Sequence, residues 1–138
     1  MANLSTSEKN KLKKKTNYKS NLSTSQNLVD FFDLFFVCEV TARKLIKYYQ
    51  TANNKPVMTK YESYTTPTLR SAIKYYSLSI NDSILKNIFL SGEGKRNQKS
   101  CRQLRNAYIH SLLNEDKQEI INRFPQLKND MDTWISLF

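Results

Sequence analysis

A chain that makes many tight turns needs glycine and proline, and this one has two glycines, Gly92 and Gly94, and three prolines, Pro56, Pro67 and Pro125, in 138 residues. Glycine supplies the positive-φ positions of short turns and proline pre-sets their corners. A sequence this poor in both is ill suited to the many short strands of a sandwich or barrel. It favours a few long helices, and its length suits one domain around one core. The expected fold is all-α.

Hydrophobic spacing divides the chain further. Residues 1–21, with EKNKLKKKTNYKSN at their heart, lack a helical apolar period and are expected to form a disordered, mobile basic arm, leaving 22–138 as a single helical domain. Ser23 and Gln26 stand at capping-box spacing. From Leu28 the apolar positions Phe31, Phe32, Phe35, Cys38, Ala42, Leu45, Ile46 and Tyr49 recur every three or four residues, which predicts a helix over about 24–51. Phe36, Val37 and Val40 widen that stripe beyond the need of one core, as a subunit interface would.

The stretch TANNKPVMTKYESYT is polar and long for a connection in a small helical domain, so it is either a functional loop or a disordered one. Thr66, with Pro67 behind it, caps a helix carrying Leu69, Ala72, Ile73 and Tyr76, and Asn81 or Asp82 opens a short one carrying Ile84, Leu85, Ile88 and Phe89. Both glycines fall in SGEGKRNQK, which ends it. Ser100 and Gln103 again have capping-box spacing and predict a helix over about 101–113. Asn114 caps a last helical region running to Phe138, with a kink or restart expected at Pro125. The sum is a bundle of about five helices.

The net charge of +10 is unevenly spread: +5 over residues 1–20, +3 over 21–90, +4 over 91–105 and −2 over 106–138. A concentrated basic patch suits a polyanion such as nucleic acid, because counterion release drives the binding. No apolar run is long enough to span a bilayer, so a soluble cytoplasmic protein without membrane association is expected. Cys38 and Cys101, far apart and without CxxC spacing, suit buried free thiols. With a single histidine, no metal-ligand cluster is completed, and no cofactor is expected.

That histidine, His110, stands in SCRQLRNAYIH. Projected at about 100° per residue with Arg105 at zero, Cys101, Leu104, Tyr108 and Leu112 fall within an arc of roughly 80° that faces the core. Arg102, Asn106 and His110 fall at roughly 60°, 100° and 140°, with Arg105 at the edge of the same side, which predicts a shared polar face. Asn106 and His110 are an i, i+4 pair, close enough for the amide to orient the imidazole. Ile109 and Leu113 lie on this side too and are better placed against another molecule than in water.

Arg105-Asn106-Ala107-Tyr108-Ile109-His110 resembles the R-x(4–6)-H motif of HEPN-domain ribonucleases, with Asn106 as the polar residue favoured directly after the arginine. The resemblance covers residues 22–138 as architecture and six residues as motif. It implies a small helical bundle with the motif on a late helix, and a homodimer with a composite active site in which Ile109 and Leu113 are buried. It also implies a place among toxins or antiviral effectors of the abortive-infection or CRISPR type, with an antitoxin or a larger defence complex as partner.

The residues themselves suit such chemistry. RNA carries its own nucleophile, since the 2′-OH beside each phosphate can expel the 5′-oxygen without a metal. A histidine titrates near neutrality and can move the protons, while an arginine can hold the non-bridging oxygens as charge builds. The expected site is Arg105 and His110 as catalytic groups, Asn106 as the orienting residue, and Lys95, Arg96, Lys99 and Arg102 as RNA phosphate contacts. One histidine cannot be acid and base in one step, so two motifs across a twofold axis are favoured. The rival is a noncatalytic helical module that binds RNA or a protein through the same basic face. Helix-turn-helix DNA binding would want a shorter turn than the basic loop at 91–99.

Overall fold

The computed structural model describes residues 3–16 and 25–138, and among these it is all-helical. Six helices follow one another: α1 (Thr6–Thr16), α2 (Gln26–Ala52), α3 (Thr66–Tyr75), α4 (Asp82–Phe89), α5 (Cys101–Ser111) and α6 (Asn114–Ile135). α1 departs from the irregular arm expected over 1–21. Ser5 and Glu8 cap it reciprocally, the Ser5 amide donating to Glu8 Oε1 at 2.9 Å and the Glu8 amide to Ser5 Oγ at 3.1 Å. The following Lys and Leu residues are good helix formers that need no apolar stripe, and residues 3–14 are indeed all exposed. The remainder of that expected arm, and Ser23 as a cap, lie outside the described residues.

α2 starts at Ser25, whose hydroxyl accepts from the Leu28 amide, and buries Leu28, Phe31, Phe35, Cys38, Ala42, Leu45 and Ile46. Its most extensive partner is α6, which contributes Ile120, Phe124, Leu127, Met131 and Trp134 to the core, with α3 on another flank. Trp134 is fully buried and donates from Nε1 to Thr41 Oγ1 at 2.8 Å, so its one polar atom is satisfied. α3 is capped by Thr65, one residue before the expected Thr66, and α4 by Asn81.

Pro125 does not restart a helix, since α6 runs on through it from Asn114 to Ile135. A proline removes the amide that would bond the carbonyl four residues earlier, here that of Ile121. Asn27 of α2 fills the vacancy by donating from Nδ2 to Ile121 O at 3.4 Å. α6 is also uncapped by a side chain: Leu113 occupies the N-cap position, and Asn114, the expected cap, is its first residue.

α5 has the best-built start. Ser100 Oγ accepts from the Gln103 amide at 3.0 Å, Gln103 Oε1 accepts from the Ser100 amide at 2.8 Å, and Ser100 Oγ donates to Leu90 O at 2.6 Å, tying the end of α4 to the start of α5. Replacing Ser100 with Ala removes a cap and takes the hydroxyl partner from the part-buried Leu90 carbonyl. The expected loss is about 2 kcal/mol, read in thermal denaturation as a fall in Tm of roughly 6 °C. An unchanged Tm would mean that water takes over both roles.

The segment between α2 and α3 is neither disordered nor wholly surface. Met58 and Tyr64 are buried in the core, and the Met58 amide donates to Gln50 Oε1 at 2.9 Å. Tyr64 therefore covers one side of α5, which decides the fate of Arg102.

Candidate functional site

α5 presents four sides to four environments. Cys101, Leu104 and Tyr108 are buried in the core, and Leu112 packs partly against it, as the helical projection predicts. Burial pushes the thiol of Cys38 up to about 12 and raises that of Cys101 as well, so neither is an activated nucleophile at neutral pH.

The second side corrects an expectation. Arg102, predicted as a phosphate contact on an open polar face, is only 4% exposed. Its Nη2 donates to Ser63 Oγ and Tyr64 O, both at 2.8 Å, its Nη1 donates to Phe89 O at 3.4 Å, and its guanidinium lies 4.1 Å from the centroid of the Tyr64 ring. Arg102 is a structural strut joining α5, the end of α4 and the 53–65 segment. Burial pushes the Tyr64 phenol up to about 12 against the opposing pull of Arg102, which keeps the ring neutral beneath the cation.

The third side carries Arg105. Its Nη2 donates to Glu39 Oε1 of α2 at 3.1 Å, and its guanidinium lies 5.3 Å from the Phe35 ring centroid. Its Nε is buried without a hydrogen-bond partner. Arg105 is thus turned toward α2 and does not line the cleft that holds His110.

That cleft is the fourth side, a cavity of about 370 Å³ lined by Asn106, Ala107 and His110 of α5 together with Gly92, Glu93, Gly94, Lys99 and Gln103. His110 is exposed, and its imidazole makes no hydrogen bond with any described residue, so the orienting bond expected from Asn106 is not formed. Asn106 instead shares the cleft wall with it.

The far wall is the loop between α4 and α5, and it is held firmly. Gly94 packs so closely that a Cβ there would lie 2.6 Å from Gln103 Oε1 and 2.7 Å from Lys99 Cγ, so a larger residue would have to displace those side chains. Gln103 Nε2 donates to Ser91 O at 3.3 Å. On the other side the Asn97 amide donates to Glu119 Oε1 at 2.9 Å, and Arg123 Nη1 donates to both Glu119 Oε2 and Lys99 O at 2.7 Å. Asn97 takes the left-handed conformation with φ 62° to make that turn.

The basic residues of this loop fare differently. Lys99 lines the cleft, but its ammonium is bonded to the nearly buried Asp116 at 3.1 Å, so its charge is largely spent within the chain. Lys95 is exposed, and Arg96, also exposed, comes within 3.8 Å of Glu115. Lys95 and Arg96 are the predicted phosphate contacts that remain at the surface. Glu93 is the residue that spacing did not single out. It is exposed, lines the same cleft as His110, and has no hydrogen bond or ion pair to any described residue. Its one trace in the sequence is that it is the sole acid among residues 91–105.

Beside the cleft, Ile109 and Leu113 are 49% and 46% exposed, and Phe36, Val37 and Val40 of α2 are exposed to a similar degree. An apolar groove of about 310 Å³ runs between the two helices, lined by Val29, Phe32, Tyr108, Ile109 and Leu112, with Asp33 at its margin. Among the described residues there is no cluster of His, Cys, Asp and Glu that could hold a metal ion, and no helix is long and apolar enough to cross a membrane. No protein-family model, curated protein or solved structure matches the chain.

Proposed function

We propose that this chain is a metal-independent endoribonuclease that cleaves RNA by attack of the substrate's own 2′-OH, leaving 2′,3′-cyclic phosphate and 5′-hydroxyl ends. The observation that carries this reading is the cleft in which the chain's one histidine stands unengaged beside Asn106 and Glu93; Lys95 and Arg96 stand exposed further along the same loop, outside the cleft lining. His110 moves a proton in the reaction. Arg105 serves the phosphate by exchanging its single Glu39 contact for it, with the unpartnered Nε free to add a second bond. The apolar face of Phe36, Val37, Val40, Ile109 and Leu113 suits burial against a second copy of the chain as a homodimer. The motif resemblance adds a role as a toxin or antiviral effector acting in the cytoplasm, with an antitoxin or larger defence complex as partner.

The test is incubation of the full chain with end-labelled single-stranded and structured RNAs in EDTA, beside the same RNAs carrying 2′-deoxy residues. Cleavage with cyclic phosphate ends, absent from the 2′-deoxy substrates, is the expected result. A second reading, a noncatalytic helical module, is favoured by one specific observation: Arg102 and Arg105 are both engaged inside the fold. RNA bound but never cut would decide for it.

A further inference from the structure

One histidine per chain leaves in-line cleavage short of a partner, since one group must take the 2′-OH proton while another protonates the leaving oxygen. Across the cleft from His110 stands Glu93. The loop that carries it is tied down by hydrogen bonds from Gln103 to Ser91 O and from the Asn97 amide to Glu119 on α6. Glu93 itself is held by nothing among the described residues, although four other acids of this region are engaged: Glu115 with Arg96, Asp116 with Lys99, Glu119 with Arg123 and Glu39 with Arg105. A carboxylate without an ion-pair duty among the described residues, lining one cleft with an imidazole without a hydrogen-bond duty, is an arrangement with no evident structural purpose.

We infer that Glu93 and His110 form a two-residue acid–base pair within one chain, Glu93 as general base and His110 as general acid, around a cleft that takes one ribonucleotide and the phosphate on its 3′ side. This deepens the ribonuclease reading and rests on it. The Glu93 carboxylate removes the proton from the 2′-OH as that oxygen bonds to phosphorus. The bond from phosphorus to the 5′-oxygen breaks, and the His110 imidazolium delivers its proton to that oxygen. One proton enters the pair and one leaves it, so Glu93 ends protonated and His110 neutral, and exchange with water resets both. Lys99, the other charged side chain lining the cleft, has its ammonium on Asp116 and stays outside the exchange. A dimer is then needed for burial of its apolar face and not for a second histidine.

The experiment compares the full-length wild type with Glu93→Gln and His110→Ala on RNA, and on RNA with a 5′-bridging sulfur at the cut site, a leaving group that needs no acid. Glu93→Gln is expected to lower cleavage of ordinary RNA by about 10²–10⁴-fold. The acid limb of the pH–rate profile, where protonation silences the base, should vanish with it. The sulfur substrate is expected to restore His110→Ala and to leave Glu93→Gln impaired. Activity of Glu93→Gln within about threefold of wild type, or rescue of Glu93→Gln by the sulfur substrate, overturns the pairing while the ribonuclease stands if His110→Ala is dead on ordinary RNA. Absence of any cleavage by wild type overturns both.

Discussion

His110→Ala is expected to abolish RNA cleavage, by about 10²–10⁴-fold, with the helical circular dichroism and the Tm of the wild type retained. The second half of that expectation follows from the surroundings of the side chain. His110 is exposed, makes no hydrogen bond with a described residue, and lies in the last turn of α5, where alanine is the better helix former. Removing it leaves no cavity and no unpaired partner, so the structural penalty is within about 0.5 kcal/mol. Activity and stability therefore separate at this position, which is the signature of a group kept for chemistry. Undiminished cleavage by the variant would remove His110 from the site.

Arg102→Ala should behave in the opposite way. The guanidinium makes hydrogen bonds to Ser63, Tyr64 and Phe89 and covers the Tyr64 ring, all in a buried setting. Its loss strands two carbonyls and empties a space between three segments, an expected destabilisation of about 3 kcal/mol, or roughly 10 °C in Tm. In RNA binding the same variant, measured well below its Tm, should leave the slope of log affinity against log salt unchanged. Arg96→Ala should reduce that slope by about one, since an exposed phosphate contact releases about one counterion. A reduced slope for Arg102→Ala would return it to the interface.

The helices were legible because their apolar spacing and starts are short-range chemistry: Asn81 and Ser100 cap where the sequence offers them, while α2 and α3 are capped by Ser25 and Thr65 in place of the expected Ser23 and Thr66. What failed depends on partners far along the chain. The Ile121 carbonyl that Pro125 leaves without its helical amide is met by Asn27, 94 residues away, and no local pattern announces that donor. The polar face of α5 was drawn correctly for Asn106 and His110, but its Arg102 edge is roofed by Tyr64 from a segment whose polar composition hid two core residues. Arg105 is turned out of the His110 cleft toward a partner, Glu39, that only the packing of α2 on α5 reveals. Glu93 was missed because a lone acid between two glycines has no spacing to be recognised by.

The pairing of α2 with α6 also bears on how the chain is made. α6 follows α2 by more than sixty residues, and Asn27, Cys38 and Thr41 of α2 are each hydrogen-bonded across the core to Ile121, Met131 and Trp134 of α6. Until α6 has left the ribosome, the stripe of Phe31, Phe35 and Ile46 has no full cover, and such surface is where nascent chains stick together. Burial of the α2 core face is therefore expected to be completed only after α6 has been synthesised.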